Sequence, residues 1–208
     1  MTDLIIVSAA PEQLARATTL GDGIEAKLDW EHHETLSGDF TLSEACVDQS
    51  VDPESITSVH LPPGIDRPRG LSVAPGNVGD ILDFVHGAFG DRVDPEWLTV
   101  HTTRSCDYRD HVDRLATITE RGGYALAVEN TPDASCFYTA EDIAAMAYLT
   151  SEVPRLNDVS VLIDTAHVPT ERRELAVDDG AVASVLDRFD EHLRAVSRNP
   201  SESSLRPT

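Results

Sequence analysis

The sequence predicts an α/β fold in which six parallel strands alternate with helices, and three observations lead to it. Short apolar runs such as Ala125-Leu126-Ala127-Val128 and Val161-Leu162-Ile163 suit strands covered on both faces. Between such runs lie segments whose apolar residues recur at helical spacing. At the ends of the runs stand acidic and imidazole side chains: Glu129 then Asn130, and Asp164 then His167. Groups of this kind are costly to bury unless they share a cation or a proton, so a site is expected where they gather.

The elements follow in order. Leu4 to Val7 reads as the first strand. Pro11 opens a short helix with Leu14 and Ala15 inward and Gly21 just past its end. Gly23 to Asp29 alternates apolar and charged residues, as a second strand would. Glu31 to Glu54 is acidic with weak periodicity and is expected to hold a loop and a poor helix. Ile56 to His60 is the third strand, closed by Pro62-Pro63-Gly64. A stripe through Val78, Ile81, Leu82, Val85 and Phe89 marks a helix over Asn77 to Phe89.

Trp97 to His101 is the fourth strand. The next helix carries Val112, Leu115, Ala116 and Ile118 and ends at Gly122-Gly123, where a left-handed cap is cheap. Ala125 to Glu129 is the fifth strand. Thr139-x-x-Asp142 resembles a capping box and opens a helix with Ile143, Met146 and Leu149 on one face, which Pro154 stops. Val161 to Asp164 is the sixth strand. Ala181 to Val196 is a last helix with Val182, Val185, Leu186, Phe189 and Leu193 inward. Residues 197–208 are polar and Pro/Ser-rich, the composition of a disordered tail, which leaves one folded domain over residues 1–196.

Strands joined by helical crossovers run parallel. Glu25, His60, His101, Glu129 and Asp164 stand at strand ends, spaced by 35, 41, 28 and 35 residues. An eight-unit (β/α) barrel of about 250 residues repeats every ~31 and gathers its active site at the C-terminal ends of its strands. The sequence thus predicts an incomplete barrel of TIM type, with about six of eight βα units. Two bare sheet edges would invite another copy or a partner to cover them.

Composition narrows the function. The net charge is −21, from 37 acidic against 16 basic residues, and Lys27 is the only lysine. Such a surface repels nucleic acid and anionic membranes, which need positive charge to release counterions. It suits solubility at high salt, a halophile-like trait, since repulsion is then screened within about 3 Å at 1 M. Cys46, Cys106 and Cys136 share no metal-like spacing and fit reduced thiols in a cytoplasm. The apolar run near Met1 is far too short to span a bilayer and lacks a basic leader.

His60, His101, Glu129, Asp164 and His167 form a candidate cation site of nitrogen and oxygen donors. A divalent metal such as Zn²⁺, Mn²⁺ or Mg²⁺ suits it, with imidazole favouring zinc and carboxylate the others. His32 and His33 lie in an acidic loop and read as exposed, while His86, His111 and His192 fall on helices beyond the strands. Glu25 and Asp29 can reach the mouth of the barrel, although strand alternation explains them equally well. Arg67, Arg69, Arg104 and Arg109 are scattered in loops and read as solvated.

The motifs Ser58-Val59-His60, Thr99-Val100-His101, Val128-Glu129-Asn130-Thr131 and Ile163-Asp164-Thr165-Ala166-His167 resemble those of the xylose isomerase-like TIM-barrel superfamily. That superfamily holds sugar phosphate isomerases and epimerases and the endonuclease IV type of apurinic endonuclease. The resemblance spans residues 1–195, and its Glu-Asn-Thr and Asp-Thr-x-His motifs are its most specific part.

It implies that Glu129 and Asp164 bind metal and that Glu129 also transfers protons. His167 would bind substrate or, in an endonuclease-like site, a further metal. His60 and His101 match the histidines that join a bridging glutamate in the endonuclease branch. The His and Glu ligands of the seventh and eighth strands have no counterpart in the chain. The expected function is therefore that of a metal-dependent sugar or sugar phosphate isomerase or epimerase. An apurinic endonuclease and a non-catalytic barrel serving as a binding or assembly subunit are the alternatives.

Overall fold

The computed structural model describes residues 5–28, 41–62, 78–102, 108–130 and 140–163. Asp164, His167, His192 and the expected last helix and tail lie outside them, as do His32, His33, Asp29, Arg67, Arg69, Arg104, Cys106, Cys136 and Thr139. The strands are β1 (Ile6–Ala9), β2 (Gly23–Lys27), β3 (Ile56–His60), β4 (Trp97–Val100), β5 (Ala125–Glu129) and β6 (Val159–Leu162). They form one parallel sheet in the order β1-β2-β3-β4-β5-β6, so each strand pairs with its neighbour in sequence. This is the expected α/β architecture, the succession found in part of a TIM barrel. Among the described residues the sheet is open, with β1 and β6 at its edges.

The helices are α1 (Leu14–Ala17), α2 (Leu42–Gln49), α3 (Val78–Phe89), α4 (Tyr108–Gly122) and α5 (Ala140–Glu152). Their apolar stripes and one face of the sheet share a single core. Ile24, Ala26 and Leu28 of the second strand region, Val59 and Leu61, Leu98 and Val100, and Leu126 and Val128 are all buried in it. They meet Ile81, Val85 and Phe89 of α3, Leu115 and Ile118 of α4, and Met146 and Leu149 of α5. Side chains alternate across a strand, so the residues between these belong to the opposite face. That face carries Glu25, Lys27, Ser58, His60, Thr99, His101 and Glu129.

The two edge strands begin away from their expected places, and hydrogen bonds give the reason. Val7 and Ser8 pair with Ile24 and Glu25, but Ile5 is engaged elsewhere: its amide donates to an Asp22 carboxylate oxygen at 3.1 Å and its carbonyl accepts from Asp22 and Gly23. The first ladder therefore starts at Ile6 and runs on to Ala9, beyond the expected Val7. The Leu126 amide donates to the Asp158 carbonyl at 2.7 Å, which brings the start of β6 forward to Val159, and the strand ends at Leu162, short of the expected Asp164.

The first helix also differs. A 3-10 turn, Pro11–Gln13, precedes α1, and 3-10 geometry brings residues three apart onto one side. Pro11, Leu14 and Ala17 are buried, while Ala15, expected inward, is exposed.

The acidic segment after β2 holds a better helix than its periodicity promised. Thr41 caps α2, with its hydroxyl accepting from the Glu44 amide at 3.2 Å and donating to the Glu44 carboxylate at 3.1 Å. Thr41-Leu42-Ser43-Glu44 has the sequence pattern of a capping box, with the Glu44 carboxylate meeting the Thr41 hydroxyl. Ser50 closes the helix in the left-handed region, and the Val51 amide bonds back to Cys46. At the other end of the connection, Ser43 Oγ donates to the Phe89 carbonyl at 2.7 Å and accepts from the Arg92 amide, tying α2 to the end of α3. Among the described residues no helix is long and apolar enough to cross a membrane.

Gly90 follows α3 with φ of +71°, and a Cβ there would lie 2.9 Å from Ser43 Oγ. Gly90→Ala should therefore cost about 1–3 kcal/mol in denaturant unfolding. Gly87→Ala, inside α3 with nothing within 4 Å of the added carbon, should gain about 0.5–1 kcal/mol. A second prediction concerns Arg155, in the 3-10 turn after α5. It donates to Glu120 at 3.0 Å and to Asp113 at 2.8 Å, both on α4, and its hydrogen bond holds Glu120 below the ordinary carboxylate value. A depressed carboxylate stabilises above its unfolded value and loses that contribution as the pH falls. Arg155→Ala should raise the Glu120 pKa toward 4.5 in carboxyl NMR titrations and leave stability nearly unchanged, since all three groups are exposed.

Candidate metal centre

His60 ends β3, Glu129 ends β5, and His101 follows β4 directly. The three strands are neighbours, so their C-terminal ends place the three residues side by side. Their backbone is held by the same ladder: the His60 carbonyl accepts from the Leu28 amide at 3.0 Å, and the Leu61 amide donates to the Thr99 carbonyl at 3.0 Å. Flanking residues Val59, Leu61, Val100 and Val128 are drawn into the helix-covered core, which turns the two imidazoles and the carboxylate to the other face.

There they converge on one oxygen. His60 Nε2 donates to Glu129 Oε2 at 2.9 Å and His101 Nε2 donates to the same atom at 2.7 Å. The imidazole rings are tilted by 60° with centroids 4.9 Å apart. All three side chains are buried, at 6%, 3% and 4% exposure for His60, His101 and Glu129. Burial alone would raise the Glu129 pKa. The hydrogen bonds from His101 and His60, with their charge, outweigh it and hold the carboxyl well below the usual range. Glu129 is therefore ionised at neutral pH.

This donor set fits a divalent cation. The ligand atoms lie within 4.8 Å of one another and are the only such group of three among the described residues. Two nitrogen donors and one carboxylate oxygen are the ligands of many three-residue metal sites that keep a position open. Donors each ~2.0–2.1 Å from a tetrahedral ion stand roughly 3.3 Å apart, so the contacts need open by only a few tenths of an ångström. His60 Nδ1 is buried and has no hydrogen-bond partner among the described residues, so Nε2 is the nitrogen this ring commits to the site.

Of the residues expected in the site, the structure thus brings together His60, His101 and Glu129; Asp164 and His167 lie outside the described residues. Two of the other polar residues on the face bond to each other. Glu25 Oε2 accepts from Thr99 Oγ1 at 2.9 Å, its side chain reaching across β3 to β4. A register shift between Ile24 and Glu25 makes this possible by opposing Glu25 to Ser58 and leaving Thr57 as the extra residue. The sequence placed Glu25 at a strand end within reach of the barrel mouth, although the alternation of Gly23 to Asp29 describes a half-exposed strand equally well.

His111 lies on α4, a helix beyond the strands as expected, and is buried. His86 is exposed on α3. Cys46 is a buried free thiol whose pKa is pushed up by burial and by the Asp52 charge, so it is a poor nucleophile. A surface hollow of about 390 Å³ between α2 and the end of α3, bounded by Thr41, Ser43, Asp48, Gly90 and Arg92, shares no residue with the triad.

The fold and site together define a parallel α/β protein with a buried His-His-Glu group at its strand ends. No protein-family model matches the chain, and no curated protein matches it. Among solved structures, the apo crystal structure of 3-keto-D-glucoside 4-epimerase, YcjR, from E. coli is similar to it. The identity is 15% and the TM-score 0.49, over 89% of this chain and 76% of that one.

The triad makes a direct prediction. The purified protein should bind one divalent ion per chain, measured by elemental analysis after dialysis. His60→Ala, His101→Ala and Glu129→Gln should each weaken that binding by more than about 100-fold, since even outer partners of metal ligands are worth 10–100-fold. A protein that excludes zinc, manganese and magnesium alike would refute the metal centre.

Proposed function

We propose that the chain is a metal-dependent sugar or sugar phosphate isomerase or epimerase of the xylose isomerase-like type. The observation that carries this reading is the convergence of His60 and His101 on Glu129 Oε2 at 2.9 and 2.7 Å, at the rim where three adjacent strands end. The motifs Glu129-Asn130-Thr131 and Asp164-Thr165-Ala166-His167 support the same reading through their resemblance to that superfamily.

In this scheme His60, His101 and Glu129 hold the ion, Asp164 adds a carboxylate ligand, and His167 binds the sugar. A divalent ion held there would supply a Lewis acid for a substrate carbonyl, which would acidify the neighbouring C–H bond. Glu129 then takes up and returns the proton. As a carboxylate it is a weak base, so the carbon acid it deprotonates has to be activated. In the ion-free site the histidines hold the carboxylate through Nε2–H, and with an ion in place the same nitrogens would give up their protons and serve as neutral ligands. The buried surroundings keep bulk water from competing for the proton.

An apurinic endonuclease is the second reading, favoured by one feature: both histidines share a single glutamate oxygen, as expected for a bridging ligand. Charge opposes it, because a chain of net charge −21 offers no basic track for a DNA backbone.

Metal-loaded protein incubated with a panel of ketoses and their phosphates should interconvert at least one sugar pair, with exchange of the substrate's carbon-bound proton into deuterated water. Glu129→Gln should lower kcat by at least about 100-fold, the typical contribution of a positioned acid or base. Cleavage of abasic-site DNA without any sugar turnover would transfer the assignment to the second reading.

A further inference from the structure

Lys27 is the only lysine in a chain of 37 acidic residues, and its position is not that of a stray surface cation. It ends β2 and is the register partner of His60 on β3. Ala26 and Leu28 on either side of it are buried in the helix-covered core. Its side chain therefore leaves the sheet on the opposite face, beside His60. It is exposed there and makes no ion pair among the described residues. The two carboxylates which that face carries among the described residues are engaged with other groups: Glu25 accepts from Thr99, and Glu129 accepts from both histidines.

Among the described residues no carboxylate neutralises this ammonium, and in so acidic a chain such a place suits negative charge. Neighbouring strands are about 4.8 Å apart and side chains on one face lean the same way, which puts the lysine head roughly 5–10 Å from the triad. That is the length of a small sugar. We propose that Lys27 selects an anionic substrate by binding the phosphate ester of a sugar phosphate whose other end meets the metal centre. This rests on the isomerase or epimerase reading and narrows it from sugars in general to phosphorylated ones. Lysine is suited to the task as a compact point charge with three donors on a flexible stem. Because Lys27 lies outside the metal ligand set, it sets affinity and selectivity and leaves ion binding untouched.

The test compares wild type, Lys27→Met and Lys27→Arg as full chains loaded with metal. Affinities for fructose 6-phosphate and for fructose are measured by calorimetry, at the lowest ionic strength at which circular dichroism reports a folded protein. Wild type should prefer the phosphate by about tenfold or more, as expected for one charge-assisted contact. Lys27→Met should lose the preference while keeping its affinity for fructose and its metal content, and Lys27→Arg should retain most of it. Absence of a preference in wild type, or its survival in Lys27→Met, overturns the assignment. Metal content measured on the same samples judges the underlying reading separately. If no ion is bound, line broadening of inorganic phosphate in ³¹P NMR, wild type against Lys27→Met, decides the role of the lysine by itself.

Discussion

One carboxylate oxygen governs the arrangement of the site. A glutamate that is 4% exposed has no water to solvate its charge, and an unpaired charge in that position would cost several kcal/mol. Glu129 meets this constraint by accepting from two imidazoles that the chain supplies 69 and 28 residues earlier. Neither histidine would be useful without the order of the sheet. Because each strand pairs with the next in sequence, β3, β4 and β5 lie side by side and their ends present His60, His101 and Glu129 to a common point.

The alternation of side chains across the strands divides the labour. One face of the sheet is given to Ile, Leu, Val and Ala, which pack against the helices and supply the burial that holds the fold together. The other face is polar along several strands, with Glu25, Ser58, Thr99 and the triad. A closed barrel usually fills that space with branched apolar residues. Here Glu25 accepts from Thr99 and the buried Glu129 accepts from both histidines, so the glutamate at the centre of the face is not left with an unpaired charge. The bulge at Thr57 is a small irregularity with a large effect, since it sets the register that aligns Glu25 with Ser58 and Lys27 with His60.

Much of this was legible in the chain. The apolar runs of β3, β4 and β5, the stripes of α3 and α4, and the left-handed glycine after α4 fall where periodicity and turn chemistry put them, Gly123 having φ of +77°. The less legible parts share a cause. Ala15 lost its inward place to Ala17 because a 3-10 turn shifted the phase of the helix. Both edge strands moved because backbone groups of Ile5 and Asp158 found partners that no local pattern specifies. The capping box at Thr41 was readable but was masked by the acidity around it.

The residues alone determined that strands and helices alternate, that acids and imidazoles stand at strand ends, and that the surface is strongly anionic. These follow from local period and composition, which act over a few residues at a time. Tertiary structure decided that His60 and His101 share one oxygen of Glu129, that Glu25 reaches Thr99 across an intervening strand, and that Lys27 stands beside His60. Those contacts depend on the register of separate strands, and register is set by the packing of the whole sheet against its helices.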